Sequence, residues 1–306
     1  MKVVKSQHIV MIPFTGVGLY GGYKGDEWFK ERIEIFKKYT LRSLQNQKFN
    51  KFLLWMTFRK EEFFNPITRE LGDFLRKEGG ISYVMTFEGL MYHDDKFSGG
   101  YNRLLNFARI IRDCYRKKNI KGMLRNIKSV ILSTNSTLRN RLGISLRTLR
   151  GIIEKDVEVI FLTRIDSDDM FHKEAIGNIN KMGAFRGAQV MGNGYVYNDL
   201  TKQLAEWNPK TNPPFHTIVF PADTFFDARK HLKYTKGFKS HEDIPKIFKT
   251  KSLGDGLYCV LVHNPNNHIS TIWNHPFRGR IIKDKKMLSN FGLGSSVGRD
   301  RDSKSL

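Results

Sequence analysis

Residues 8–13 form an apolar run, His8-Ile9-Val10-Met11-Ile12, closed by Pro13. Such a run is expected of a strand buried on both faces. A glycine-rich stretch follows (Gly16, Gly18, Gly21, Gly22, Gly25). Over residues 28–47 the apolar positions change period: Phe29, Ile33, Phe36, Leu41 and Leu44 recur at helical spacing with charges between them. Phe52-Leu53-Leu54-Trp55-Met56 is strand-like again. Strand, helix, strand in this order predicts a βαβ unit with a right-handed crossover, hence a parallel sheet.

The alternation continues. The pattern predicts a helix over 66–77, a short strand over 81–85, and a helix over 101–118 with Leu104, Leu105, Ala108, Ile110, Ile111 and Tyr115 on its apolar face. The β-branched run at 157–163 reads as a central strand, and 171–182 as the helix after it. Strands are expected over 190–197, 217–221 and 257–262, with a proline-bearing surface loop over 207–215. From Ser289 onward glycine, serine and charge dominate, which predicts a poorly ordered tail over 289–306. The fold expected is α/β: one domain over 1–288, with a mostly parallel central sheet flanked by helices.

The 306 residues are 40% hydrophobic, with 23 Phe and 11 Tyr, enough for a sizeable core. Cys114 and Cys259 match no zinc or haem spacing. They read as two buried thiols rather than a disulfide, in keeping with a reducing compartment. No apolar run approaches the ~18 residues of a membrane span, and the run after Lys2 and Lys5 is too short for a signal-peptide core. A cytoplasmic protein is expected, with peripheral membrane contact as an option.

The net charge of +22 is uneven. Residues 109–150 carry twelve Lys/Arg against one acid, Asp113. This stretch predicts one or two basic helices, with 119–150 as an insertion. It is either a solvated face or an attractor for anionic lipid, nucleic acid or polyanionic glycan.

The candidate chemistry sits at Arg164-Ile165-Asp166-Ser167-Asp168-Asp169. Asp-x-Asp by itself is a weak motif, and the chain holds a second copy, Asp300-Arg301-Asp302. Only the first follows a predicted buried strand, whose carboxyl end is where open α/β sheets collect ligands. Crowded carboxylates repel unless a cation sits among them, and hard oxygen donors suit Mg²⁺ or Mn²⁺. Asp169 reads equally as a ligand or as the N-cap of the helix expected next.

Strand followed by Thr163-Arg164-Ile165-Asp166-Ser167-Asp168-Asp169, in a chain opening with βαβ, resembles the GT-A glycosyltransferases, and in particular a bacterial rhamnosyltransferase family. The same order is echoed by Arg32-Ile33-Glu34-Ile35-Phe36 and Tyr39-Thr40-Leu41-Arg42-Ser43-Leu44 with Gln47 and Phe49. It continues in Gly194-Tyr195-Val196, Asn212-Pro213-Pro214-Phe215, then His263, Asn267, Ser270 and Arg278-Gly279-Arg280. The resemblance spans about residues 8–282. The chain departs from it in the long basic stretch over 119–150 and in Asn264-Pro265-Asn266 after His263.

The resemblance implies a metal-dependent, inverting transfer of rhamnose or another hexose. The donor would be a nucleotide sugar and the acceptor a glycan or lipid-linked molecule, as in polysaccharide biosynthesis. Asp166 and Asp168 would hold Mn²⁺ or Mg²⁺, with His263 as a third ligand or else a capping histidine. Arg32, Arg164, Asp166, Arg278 and Arg280 would contact the donor, the last two arginines being equally readable as a solvated segment. Asp243 would be the base, with Glu242 next and His241 an option, or this acidic segment merely starts a helix. A basic nucleic-acid-binding protein is the alternative, without a recognised binding motif to support it. A metal-dependent nuclease or phosphatase ranks behind both.

Overall fold

In the computed structural model the described residues are 4–15, 25–90, 111–112, 138–211, 213–238, 240–263 and 273–294. The glycine-rich stretch over 16–24, nearly all of the 101–118 helix, all of 119–137, Cys114, Asn212, Asn264-Pro265-Asn266, Asn267, Ser270 and Asp300-Arg301-Asp302 lie outside them.

Among the described residues two sheets form. The larger has seven strands in the order β10-β6-β9-β4-β1-β2-β3. Its central members are β1 (Ser6–Pro13), β2 (Phe52–Thr57) and β4 (Val159–Arg164). Strand β1 runs parallel to both β2 and β4, and β2 parallel to β3 (Tyr83–Thr86). Strand β9 (His216–Pro221) is antiparallel to β4 and to β6 (Gly187–Val190), and β10 (Thr250–Ser252) returns to parallel beside β6. The α/β class therefore stands, and the larger sheet is mixed: four of its six pairings are parallel and the two made by β9 are antiparallel. Continuous burial along β2 and β4 matches their unbroken apolar runs, because helices cover both faces.

The smaller sheet, β12-β8-β7-β11-β5, was not foreseen. It comprises β5 (Met170–Phe171), β7 (Gly194–Asn198), β8 (Gln203–Trp207), β11 (Tyr258–Val262) and β12 (Arg278–Ile282). Phe171, Phe215 and Tyr258 carry the main core into this sheet.

Several expectations need correction. The helix predicted over 171–182 begins only at Ala175, as α5 (Ala175–Met182). Phe171 instead pairs with Tyr258, and the amide of His172 donates to the Leu257 carbonyl at 2.9 Å. The single strand predicted over 190–197 is two strands in different sheets. The chain turns at Gly192-Asn193, where the Asn193 amide donates to Asp255 Oδ1 at 2.8 Å. The tail is ordered further than its composition suggests: a 3-10 turn, Lys285–Phe291, buries Phe291 completely between His172 and Tyr195. One aromatic anchor outweighs a polar composition.

The helix predicted over 28–47 is α1 (Asp26–Ile35), a π-helical stretch Phe36–Leu41 and α2 (Arg42–Gln45) in succession. Next comes α3 (Pro66–Glu78), which Asn65 caps by accepting from the Ile67 amide at 3.0 Å. The described part of the basic stretch is α4 (Leu138–Arg150). Its Arg139, Arg147 and Arg150 are exposed, but Arg141 is buried and donates to the Glu88 carbonyl at 3.1 Å, so the basic face is narrower than its sequence suggests.

Two motifs of the resemblance meet at Tyr258. Phe215 stacks on its ring with centroids 4.1 Å apart, and Gly194 lies against its other atoms. A Cβ at residue 194 would fall 2.5 Å from the Tyr258 ring. Gly194→Ala is therefore expected to cost about 1–3 kcal/mol through overpacking, read as a lower urea midpoint at unchanged slope. An unshifted midpoint would show that Tyr258 yields freely.

Candidate functional site

Strand β4 occupies the middle of the seven-stranded sheet, so the turn leaving its carboxyl end starts from a stiff, doubly flanked support. Ile165 is fully buried and donates its amide to the Met11 carbonyl at 3.1 Å, extending the β1 pairing by one residue. Asp166, Ser167, Asp168 and Asp169 follow, and β5 then enters the smaller sheet. All but Asp166 are buried.

The three carboxylates do different work. Asp168 Oδ2 forms an ion pair with Arg32 Nη1 from α1 and lies 3.3 Å from His263 Nε2, just past β11. Both Asp168 and Arg32 are buried. Burial by itself would raise the Asp168 pKa, but the Arg32 charge and the His263 hydrogen bond outweigh it and hold the carboxyl at about 2. Asp166 turns to Arg164, whose Nη2 and Nε donate to its Oδ1 at 2.9 and 3.2 Å. Its side chain keeps a quarter of its surface exposed. Asp169 does not cap a helix. Its Oδ1 accepts the Leu261 amide at 3.1 Å and ties the turn to β11. Burial, then the charges of Asp168 and Asp166, push its pKa well up.

The charge balance differs from the expectation. Two guanidinium groups, Arg32 and Arg164, already neutralise the two carboxylates that a metal was expected to neutralise. Among the described residues no group of three or more His, Cys, Asp or Glu converges on one point. Asp168 and His263 are an adjacent oxygen and nitrogen donor pair of the kind borderline cations take, but here Asp168 Oδ2 is engaged by both Arg32 and His263. Asp166 is aimed elsewhere, so a cation here would draw further oxygens from its ligand.

Residues of the resemblance to which no chemical role was given prove to be supports. Ser43 Oγ accepts the Phe171 amide at 3.1 Å while donating to the Thr40 carbonyl. Gln47 donates to the His172 carbonyl at 2.9 Å and accepts the Ile176 amide at 3.1 Å. Together they fix the start and end of the segment after Asp169. Trp28 lies under Arg32, 5.7 Å from guanidinium carbon to ring centroid, an i,i+4 pair that helical spacing makes legible. A groove of about 930 Å³ opens beside His263, with Glu31, Glu34, Lys38, Tyr39 and Asp199 in its walls.

Other predicted residues are not brought to this point. Arg278 and Arg280 sit on β12, at the opposite edge of the smaller sheet from β5. Four strand spacings, roughly 19 Å, separate those edges. Arg278 lies over the Trp273 ring at 5.0 Å, and Arg280 Nε donates to Glu206 Oε1 at 2.6 Å. Asp243 closes a capping box: its Oδ2 accepts the Ser240 amide at 2.9 Å, and its Oδ1 accepts from Lys246 at 3.3 Å. That is the helix-start role left open for it in the sequence. Glu242 is exposed, and both residues neighbour Ile244, which belongs to the second core, with Ile9, Leu162 and Phe220. Cys259 is a buried free thiol, and no described helix is long and apolar enough to cross a membrane.

No protein-family model matches this chain, and no curated protein matches it.

Proposed function

We propose that the chain is a GT-A-type glycosyltransferase that moves a hexose or deoxyhexose, rhamnose being one candidate, from a nucleotide sugar to a glycan or lipid-linked acceptor. One observation carries the reading: a buried carboxylate, Asp168, leaves the carboxyl end of the central parallel strand, stays ionised, and has His263 at 3.3 Å. A mostly parallel sheet with its ligand turn at a strand end is the setting in which such folds bind nucleotides.

Asp168 and His263 would hold Mn²⁺ or Mg²⁺, which when bound neutralises charge developing on the departing diphosphate. Arg32 and Arg164 add fixed positive charge at the same place, suited to phosphate oxygens by their planar donor geometry. Asp166, partly exposed and oriented by Arg164, is the acceptor available to donor hydroxyls. Asp243 or Glu242 would take the acceptor proton. Asp243 would have to release its capping bonds to do so, which favours Glu242.

The test is a panel of UDP-, GDP- and dTDP-sugars screened for thermal stabilisation with and without Mn²⁺. A true donor at a hundred times its Kd is expected to add about 2.7 kcal/mol of stability, and to do so only with the cation. No cation-dependent shift with any donor, alongside steeply salt-dependent RNA or DNA affinity, would instead favour nucleic-acid binding.

A further inference from the structure

A second cavity, of about 540 Å³, lies at the other end of the large sheet. Its walls include Arg186, Lys230, Lys233 and Lys249, its floor Tyr234 and Phe248, and none of its lining residues is acidic. It opens where β6 begins, at Gly187, and where the chain has left the final residue of β9. That is the end at which β4 starts, so the length of β4, roughly 20 Å, lies between it and the carboxylate turn.

The backbone builds this place closely. Gly187 leaves no room for a side chain, because a Cβ there would fall 2.2 Å from the Lys249 carbonyl oxygen. Lys249 is thereby held beside Arg186. Helix α6 (Ala228–Tyr234) supplies Lys230 and Lys233 one turn apart with Tyr234 between them and the sheet. Tyr234 is fixed by donating to the Val219 carbonyl at 2.9 Å and packs on Phe248 with centroids 5.5 Å apart.

Arg186, Lys230, Lys233 and Lys249 are all exposed around the cavity mouth, and partners within the protein offset only part of their mutual repulsion. Lys230 pairs with Asp223 at 2.8 Å, and Arg186 lies over the Tyr234 ring at 5.9 Å. Among the described residues, Lys233 and Lys249 have no carboxylate within ion-pair reach. The surroundings add to the field: Arg229 on the same helix, Lys236 just past it, Lys251 on β10, and Arg147 and Arg150 on the adjoining α4 are exposed, against the exposed helix cap Asp227. Positive potential focused into a cleft concentrates anions.

We infer that this cavity is a binding site for a ligand bearing two or more phosphate charges, distinct from the carboxylate turn and independent of the glycosyltransferase reading. A single carboxylate would satisfy one of the unpaired cations. A diphosphate or a phosphomonoester headgroup satisfies several through charge-assisted hydrogen bonds, with its organic part on the aromatic floor. A phosphate-bearing lipid headgroup and a soluble phosphate ester share that chemistry.

The experiment uses the full chain in EDTA, so that no cation contributes at Asp168. Inorganic tripolyphosphate is titrated calorimetrically into the wild type, Lys233→Gln/Lys249→Gln, and Lys60→Gln/Lys77→Gln. The last pair removes equal charge from exposed sites elsewhere. Saturable binding is expected, weakened about tenfold or more in the first variant and little changed in the second. Flotation with phosphatidylcholine vesicles, with and without phosphatidic acid, then separates the sources. Flotation lost only in the cavity variant assigns a lipid headgroup; no flotation by the wild type assigns a soluble ligand. Equal weakening in both variants would reduce the site to diffuse net charge. Absence of saturable tripolyphosphate binding would overturn it, even if the protein bound single-stranded RNA.

Discussion

Under the proposed function, Asp168→Asn is expected to abolish cation-dependent activity toward a nucleotide sugar, and whatever the function it should weaken the fold by roughly 3–5 kcal/mol. The second effect follows from Arg32. Arg32 is 5% exposed and pairs with the Asp168 carboxylate, so an amide at residue 168 takes a counter-charge away from a buried cation. Loss of activity in that variant would be ambiguous, because a destabilised enzyme is also a poor one. The double variant Arg32→Met/Asp168→Asn resolves this. Removing both charges of a buried pair is often close to neutral for stability, and methionine can still pack on Trp28. Urea unfolding should therefore show the double variant recovering most of the lost stability, while donor binding with Mn²⁺ and turnover remain absent. Full activity in Asp168→Asn would remove Asp168 from the site. A double variant as unstable as the single would show that the pair is not what couples α1 to the turn.

Acid should undo the fold well above the carboxylate range. Burial holds His8 at about 3, and burial, only partly offset by a hydrogen bond with the Phe225 carbonyl, holds His231 at about 4. Both lie below the 6.5 of an unfolded histidine, so the unfolded chain takes up two protons that the folded one refuses. Their stabilisation is complete above pH 6.5 and drains as pH falls toward 4 and then 3, with a slope approaching about 3 kcal/mol per pH unit. Asp169 acts oppositely: its raised pKa keeps a proton in the folded state that the unfolded chain releases above about pH 4, offsetting part of that slope. Asp168, held at about 2, remains charged through the window and gives way only below about pH 4.

The cleanest readout is a difference. His8 accepts from Asn180 Nδ2 at 2.9 Å on Nδ1, so Nε2 carries the proton and donates to Thr163 Oγ1 at 2.7 Å. His8→Gln retains some of this bonding without a titratable group. Its slope between pH 6 and 4 is expected to be shallower than that of the wild type by about 1.4 kcal/mol per pH unit, measured by urea unfolding across the range. Parallel curves would mean that His8 is protonated inside the fold.

His8 also shows what the sequence conceals. It belongs to an apolar run and reads as one more strand residue, yet it joins α5, β1 and β4 in a polar chain that continues from Thr163 to Thr217 at 2.6 Å. Local pattern reports burial. It does not report which distant residue completes a bond.

The same division runs through the molecule. The apolar runs determined β1, β2, β4, β9 and β11 because strands buried on both faces have no polar alternation to hide them. They also determined that the Asp166 turn leaves a rigid strand. Tertiary structure alone decided how the acidic turn is shared out: Asp168 to Arg32 and His263, Asp166 to Arg164, Asp169 to the Leu261 amide. It alone decided that Arg278 and Arg280 stand at the far edge of a second sheet whose strand pairing no local pattern announced, and that four basic side chains surround one cavity. The reason is physical. A period of two or 3.6 records which side of a segment meets the core, whereas charge pairing and strand neighbours are set between segments, here across 92 residues for Asp169 and 95 for Asp168.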